Sequence, residues 1–271
     1  MQWVCVSVFF KRKPQFQPLP DIPVRTTTDR NDPGLTGMAL LSSDRLVVAD
    51  RFNQSVKLVD IVQDKVLHQL AVGEYYKIMC YLPGNRAAVA MPLNNTILIL
   101  DCDNQLSIVK RITVRENMLG LAYNNEHLIV LYMFGIIETF HVNGETVRRN
   151  ILEMYYSGNI TNHLSFMTEG NVTSIYLSDH NNLHIIRLDE GLHVHQAYPV
   201  PGYARPRRVL AVGENQLLVS TFDARLWQLD TTMGRWTCLN QEVFVDSMAF
   251  CHDRHVLYCG FGNTLKRYKI S

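Results

Sequence analysis

A short pattern recurs along the chain at a nearly constant spacing. A strongly apolar run, VKLVD in its clearest form, ends at position 60, and comparable runs end at 101, 142, 189, 230 and 270. The steps between these positions are 41, 41, 47, 41 and 40 residues. A repeat of this length restricts the fold severely, because each unit must bury its apolar faces against its neighbours in the chain.

The clearest repeat predicts four short strands at residues 37–41, 45–49, 56–60 and 66–70. Each is a short run containing Val, Leu or Ile, and polar or turn-forming residues separate these runs, which is typical of antiparallel strands and their turns. Four strands in each repeat of about 40–45 residues indicate a β-propeller. The sequence therefore predicts an all-β fold, a six-bladed β-propeller with four-stranded antiparallel blades.

The 271 residues divide into an N-terminal tail or linker at residues 1–21 and one propeller domain at residues 22–271. The last repeat supplies only three strands, whereas IPVRTTT at residues 22–28 has strand character and precedes the first blade. We therefore expect the N-terminal strand to complete the last blade, which closes the ring and hides a sheet edge. Blade four carries six extra residues, in or near 153–162.

The first blade resembles a known family of repeats. The segment TGMALL..DRLVVAD..N..VKLVD is similar to an NHL-type blade, with Ala49, Asp50 and Asn53 in its A-D-x-x-N pattern. Blade two departs from that pattern at residues 90–94. The resemblance is closest to the C-terminal propellers of invertebrate tripartite-motif (TRIM-NHL) proteins. It implies the substrate-recognition part of a ubiquitin-ligase system, whose RING, B-box and coiled coil would lie outside this chain.

No catalytic signature accompanies the repeat. The sequence contains no G-x-S-x-G, H-E-x-x-H or P-loop motif, so we expect a non-enzymatic protein with no catalytic residues, no cofactor and no metal. The aspartates that end the third strands are expected to bond the backbone of their own turns rather than a metal. These are Asp60, Asp101, Asp189 and Asp230. His184, His193 and His195 are expected at or near an exposed outer strand.

The cysteines and the charge bear on the compartment and the partners. None of the six cysteines forms a C-x-x-C pair, so we expect reduced thiols, most of them buried, in a cytoplasmic protein. The net charge of +1 provides no global attraction to DNA or to a membrane, and neither is an expected partner.

The candidate binding residues lie in loops. In a propeller, the loops that precede each first strand and those that join the second strand to the third share one face, which we call the loop face. Aromatic and arginine residues, which are enriched at binding surfaces, accumulate there. The candidates are Arg51, Phe52, Tyr75, Tyr76, Arg115, Phe134, Tyr203, Arg205, Arg207 and Phe222, with Tyr155, Tyr156, His180 and Arg208 nearby. The alternative is that about half of these rings fill gaps between blades.

Three functions are compatible with these features. The first is a recognition or scaffold propeller that binds a protein partner through the loop face. The second is binding of single-stranded RNA on the same face, where bases would stack on rings and arginines would meet phosphates. The third is a lactonase-like hydrolase with a central metal, which requires acidic and Asn ligands that converge from several blades.

Overall fold

The computed structural model describes residues 15–73, 78–152, 164–169, 172–189 and 191–271. Within them, 24 strands form six antiparallel sheets of four strands each, which confirms the six-bladed propeller. The strands of blades one to three are β2 (Leu35–Leu40), β3 (Arg45–Asp50), β4 (Ser55–Asp60), β5 (Lys65–Ala71), β6 (Ile78–Leu82), β7 (Arg86–Met91), β8 (Thr96–Asp101), β9 (Ser107–Thr113), β10 (Met118–Asn124), β11 (His127–Tyr132), β12 (Ile136–His141) and β13 (Thr146–Ile151). The remaining strands are β14 (Leu164–Glu169), β15 (Val172–Asp179), β16 (His184–Leu188), β17 (Val194–Pro199), β18 (Pro206–Gly213), β19 (Gln216–Thr221), β20 (Arg225–Asp230), β21 (Arg235–Gln241), β22 (Ser247–Cys251), β23 (Val256–Phe261), β24 (Thr264–Ile270) and β1 (Phe16–Ile22).

The core lies between the blades. Along β3, Val47 and Ala49 pack towards blade two, while Leu46 and Val48 pack towards blade six. A strand between two neighbours buries both of its faces, which explains its continuous apolar run. The described residues form six such clusters, one at each junction of adjacent blades, so every blade is held on both sides.

The strands differ in character from the axis to the rim. Each first strand contacts the first strands of the neighbouring blades and so lies in the innermost ring. The fourth strands lie at the outside and are largely polar, as in TVRRNI of β13. His193, just before the fourth strand β17, and His195 within it are both exposed, as expected. The inner ring therefore fixes the directions in which the loops project.

The N-terminal strand closes the ring, but at a different position from the prediction. The strand β1 covers Phe16–Ile22 and pairs antiparallel with β24, whereas the sequence predicts the strand at residues 22–28 and a tail or linker at residues 1–21. Gln15 and Ser271 exchange backbone hydrogen bonds of 3.0 and 3.3 Å, so the backbone N–H and C=O groups of Gln15, and of every second residue after it, face β24. Pro18 and Pro20 are not among these residues. Their missing N–H groups therefore face away from the sheet, where an edge strand tolerates proline.

The segment that the sequence predicts as a strand instead crosses the loop-face end of blade one. Its anchor is Lys57, whose ammonium donates to the Val24 carbonyl at 2.9 Å, to Asp29 at 2.6 Å and to Asp50 at 2.7 Å. Asp50 also accepts the Gly34 N–H at 2.9 Å. This network holds residues 23–34 in place without pairing in a sheet.

Candidate binding face

The loop face is built from two sets of loops that are bonded to each other. Backbone hydrogen bonds join Arg51 N to Gly34 O at 2.9 Å, Met133 N to Asn117 O at 3.0 Å and Phe222 N to Arg205 O at 3.0 Å. Each bond connects the start of a second-to-third-strand loop to the segment before the first strand of the same blade. The two sets of loops therefore form one end of these blades, as the sequence predicted.

The four described rings among the candidates are all accessible to solvent. The exposed fractions are 46% for Phe52, 58% for Phe134, 89% for Tyr203 and 47% for Phe222. The alternative that such rings fill gaps between blades is therefore wrong for these four. Tyr75 and Tyr76, with Tyr155 and Tyr156, lie outside the described residues, and their assignment stays a prediction.

Two of these rings occupy unusual backbone positions. Phe134 has a φ of 63° and Tyr203 a φ of 56°, both in the left-handed region. Each follows or precedes a glycine in a short 3-10 turn, Met133–Gly135 or Pro201–Tyr203. Left-handed backbone costs a bulky residue about 1–2 kcal/mol. Retaining an exposed ring at such a cost is typical of a functional surface.

Blades four, five and six bring several side chains into one cluster. The Arg207 guanidinium lies 5.0 Å from the centre of the Phe222 ring, and the His180 ring meets the same ring edge-on at 4.8 Å. Arg207 also forms an ion pair with Asp246. Burial lowers the pKa of His180, and the positive charge of Arg205 lowers it further. The structure therefore brings together Arg205, Arg207 and Phe222 with His180, which the sequence also assigns to this face, and adds Asp246.

A pocket of about 490 Å³ opens on the loop face at the junction of blades two and three. Arg115 and Phe134, both predicted, line it together with Tyr132. Arg115 Nε donates to the Glu138 carboxylate at 2.6 Å, and Arg149 Nε lies 3.8 Å from the same oxygen. The Glu138 side chain is only 6% exposed, so a buried carboxylate positions a half-exposed guanidinium at this pocket.

The other predicted arginines differ in their environment. The Arg51 guanidinium lies 5.0 Å from the centre of the neighbouring Phe52 ring. Arg208, by contrast, is buried and donates to the backbone carbonyls of Asp246 and Thr36 near the axis. Arg208 therefore connects blades rather than contributing to an accessible surface.

Sequence reasoning missed three exposed apolar side chains on the loop face. They are Leu93, Phe244 and Phe261, of which the last two stack at 5.1 Å between ring centres. Leu93 was missed because only rings and arginines were counted, although it lies in a second-to-third-strand loop. Glu138 was also missed. Its signal was a charge within the apolar run of β12, IIETFH.

The accessible cations of this face are of a single type. Within the described loops and the first residues of the strands that follow them, each cationic side chain that reaches solvent is an arginine, whereas Lys57 is fully buried. These arginines are Arg25, Arg30, Arg51, Arg115, Arg205, Arg207 and Arg225. Protein interfaces are enriched in arginine and aromatic residues and depleted in lysine.

The aspartates at the ends of third strands stabilise turns, as expected. Asp60 accepts the N–H groups of Val62 and Gln63 at 2.9 and 2.8 Å, and Asp230 accepts those of Thr232 and Met233 at 3.0 Å. The backbone hydrogen bond from Gln63 lowers the pKa of Asp60. Among the described residues, no three His, Cys, Asp or Glu side chains are grouped in a way that would hold a metal.

Two further observations concern the thiols and the membrane. Burial raises the pKa of Cys102 and of Cys259 to about 12, so both remain protonated thiols at neutral pH. The described part of the chain contains no helix with the length and apolar character needed to cross a bilayer.

Comparison with known proteins finds no matching protein family and no matching curated protein.

Proposed function

We propose that this protein is a non-enzymatic recognition propeller that binds a protein partner through its loop face. The observation that supports this most directly is the repetition of exposed apolar side chains around that face. Five of the six blades carry one in or beside the loop from second to third strand, namely Phe52, Leu93, Phe134, Phe222 and Phe261. Among the exposed aromatic residues that the structure describes, Tyr81 alone lies away from this face.

The charges of the loop face favour protein over single-stranded RNA. Arg25, Arg115, Arg207 and Arg225 each form an ion pair with a carboxylate, Asp32, Glu138, Asp246 and Asp223 respectively. These carboxylates reduce the positive potential that a phosphate backbone requires. Alternating charges beside apolar side chains instead suit a protein surface, where complementary charges fix the register.

The resemblance of blade one to TRIM-NHL propellers extends the proposal. On that basis the propeller is the substrate-recognition part of a ubiquitin-ligase system in the cytoplasm, and the ligase chemistry belongs to other domains. The loop face would then select the substrate.

A crosslinking pulldown with matched variants tests the proposal. The loop-face variant combines Phe134→Asn, Tyr203→Asn and Phe222→Ser, in which asparagine tolerates the left-handed backbone of the first two positions. The control combines Val109→Ser and Val147→Ser, whose side chains are 53% and 49% exposed on outer strands. We expect the control to retain the protein partners of the wild type and the loop-face variant to lose them.

Both variants should melt at the wild-type temperature, because the substituted side chains are exposed. Retention of every protein partner by the loop-face variant would contradict the proposal. Crosslinking to RNA instead of protein, with binding that weakens steeply as salt is added, would support the RNA alternative.

A further inference from the structure

The pocket between blades two and three contains a polar group with no partner. The Tyr132 side chain is 2% exposed, and its hydroxyl has no hydrogen-bond partner among the described residues. The hydroxyl lies near the Glu138 carboxylate and the Arg115 backbone but forms a hydrogen bond of normal geometry with neither. Buried polar groups in proteins are nearly always paired, so an unpaired hydroxyl in the lining of a pocket points to a ligand.

Arg115 supplies a second unused set of donors. Its Nε is occupied by Glu138, but its two terminal nitrogens contact no acceptor among the described residues. Its side chain is 51% exposed, and its guanidinium is oriented by a carboxylate that it shares with Arg149. A guanidinium held in this way presents a rigid fork of donors, which matches the two oxygens of a carboxylate.

The walls of the pocket restrict the ligand further. Phe134 provides an exposed ring, while Asn95 and Asn117 add amide groups. Glu116 also lines the pocket, and its negative charge repels an anionic ligand. Together with the buried Glu138, it disfavours a doubly charged phosphate more strongly than a singly charged carboxylate.

We propose that this pocket binds an Asp or Glu side chain of the protein partner, next to an apolar residue that packs on Phe134. The inference rests on the proposed function, because it specifies the chemistry of the partner. The partner's carboxylate accepts hydrogen bonds from the terminal nitrogens of Arg115 and from the hydroxyl of Tyr132. A donor pair of this kind, a half-exposed guanidinium and a buried hydroxyl, selects an acidic residue against its amide.

A display library of random linear peptides, selected on the immobilised full chain, provides the probe. We expect the selected peptides to share an acidic residue beside an apolar one. Arg115→Gln should weaken their binding by about tenfold or more, since a charged hydrogen-bond pair is lost. Glu116→Gln should strengthen binding by removing the opposing charge. A peptide with Asn or Gln in place of its acidic residue no longer provides the carboxylate for Arg115. Its affinity should therefore be no higher for the wild type than for the Arg115→Gln variant.

Tyr132→Phe separates a ligand contact from a structural role. Removing an unpaired buried hydroxyl should leave the melting temperature unchanged or raise it, whereas peptide affinity should fall by about threefold or more. Unchanged affinity for both Tyr132→Phe and Arg115→Gln would overturn the inference. If peptides without an acidic residue are selected and need Phe134, Tyr203 and Phe222, the inference fails while the proposed function stands. If no selected peptide depends on the loop face, both fail.

Discussion

The Nζ atom of Lys57 lies 2.7 Å from Asp50 Oδ2, and neither side chain is exposed to solvent. Asp29, also buried, accepts a second hydrogen bond from the same ammonium at 2.6 Å. One ammonium therefore bonds two carboxylates from different segments and attaches residues 23–34 to blade one. These ion pairs attach the N-terminal segment to the ring at a second place, in addition to the pairing of β1 with β24.

Replacing Lys57 by methionine should destabilise the protein strongly. The substitution leaves Asp29 and Asp50 buried without their counter-charge, and breaking a buried ion pair in this way costs about 3–5 kcal/mol. Urea unfolding measures the free energy. Lys65→Met, at an exposed position on β5, is the control and should change it by less than about 0.5 kcal/mol. Similar values for the two variants would show that the buried network adds no stability.

Substitutions at neighbouring positions of the closing strand β1 should differ in their effect on the stability of the protein. Gln17 is exposed, but its N–H has the parity that faces β24, whereas the nitrogen of Pro18 faces outward. Gln17→Pro should therefore lose a ladder hydrogen bond and cost about 1–3 kcal/mol, and Pro18→Ala should have little effect. Thermal melting of the two variants is sufficient. Equal melting temperatures would mean that β1 does not pair as described.

The repeat made the fold predictable, whereas the closing strand was harder to place. The period and the apolar runs depend on local residues, and they place the four strands of blade one within two residues at every end. Proline disfavours a strand in the sequence, and whether the N–H groups missing at Pro18 and Pro20 would have faced β24 depends on the pairing and not on the sequence alone. The β-branched segment at residues 22–28 has the stronger strand character in the sequence, but in the structure a distant lysine, Lys57, holds part of it outside any sheet.

The candidate site was predictable only in part, because the sequence identifies the loops but not the packing between blades. Arg115 and Phe134 were identified from their loops, but their junction with Tyr132 and Glu138 depends on packing between blades. The D-x-x-N pair was recognised in blade one only. In the structure, Asp179 accepts a side-chain hydrogen bond from Asn182 at 2.8 Å, as Asp50 does from Asn53 at 2.8 Å. The pair therefore recurs in blade four, where Ser178 replaces the alanine.

His180 should report on the charge of Arg205. The positive charge of Arg205 lowers the pKa of His180, in addition to the effect of burial. Arg205→Gln should therefore raise that pKa towards its ordinary value, because the imidazolium is no longer repelled. An NMR titration of the imidazole resonances measures the change, and Arg235→Gln, on the outer strand of blade five, is the control. An unchanged pKa would place Arg205 away from the cluster.

Asp60 should contribute to the acid sensitivity of the fold. Its pKa is lowered in the folded state by its turn hydrogen bonds, so its stabilising effect is present above the ordinary pKa of 3.8 and is lost as the pH falls through the folded value. Asp60→Asn cannot titrate at this position. Its free energy of unfolding should therefore fall less than that of the wild type as the pH is lowered from about 5 to about 2. Parallel curves for the two proteins would remove Asp60 from the acid response.

The negative charge of Glu138 should hold Arg115 in position by offsetting the repulsion between Arg115 and Arg149. Glu138→Gln keeps the shape of the side chain but removes the negative charge between the two guanidinium groups. We expect a loss of about 1 kcal/mol, modest because both arginines are about half exposed. The loss should shrink between about 0.1 M and about 1 M salt, because salt screens the repulsion between the arginines. Glu145→Gln, at an exposed turn of the same blade, should show neither effect. A loss for Glu138→Gln that is independent of salt would mean that the carboxylate acts through its hydrogen bond to Arg115 alone.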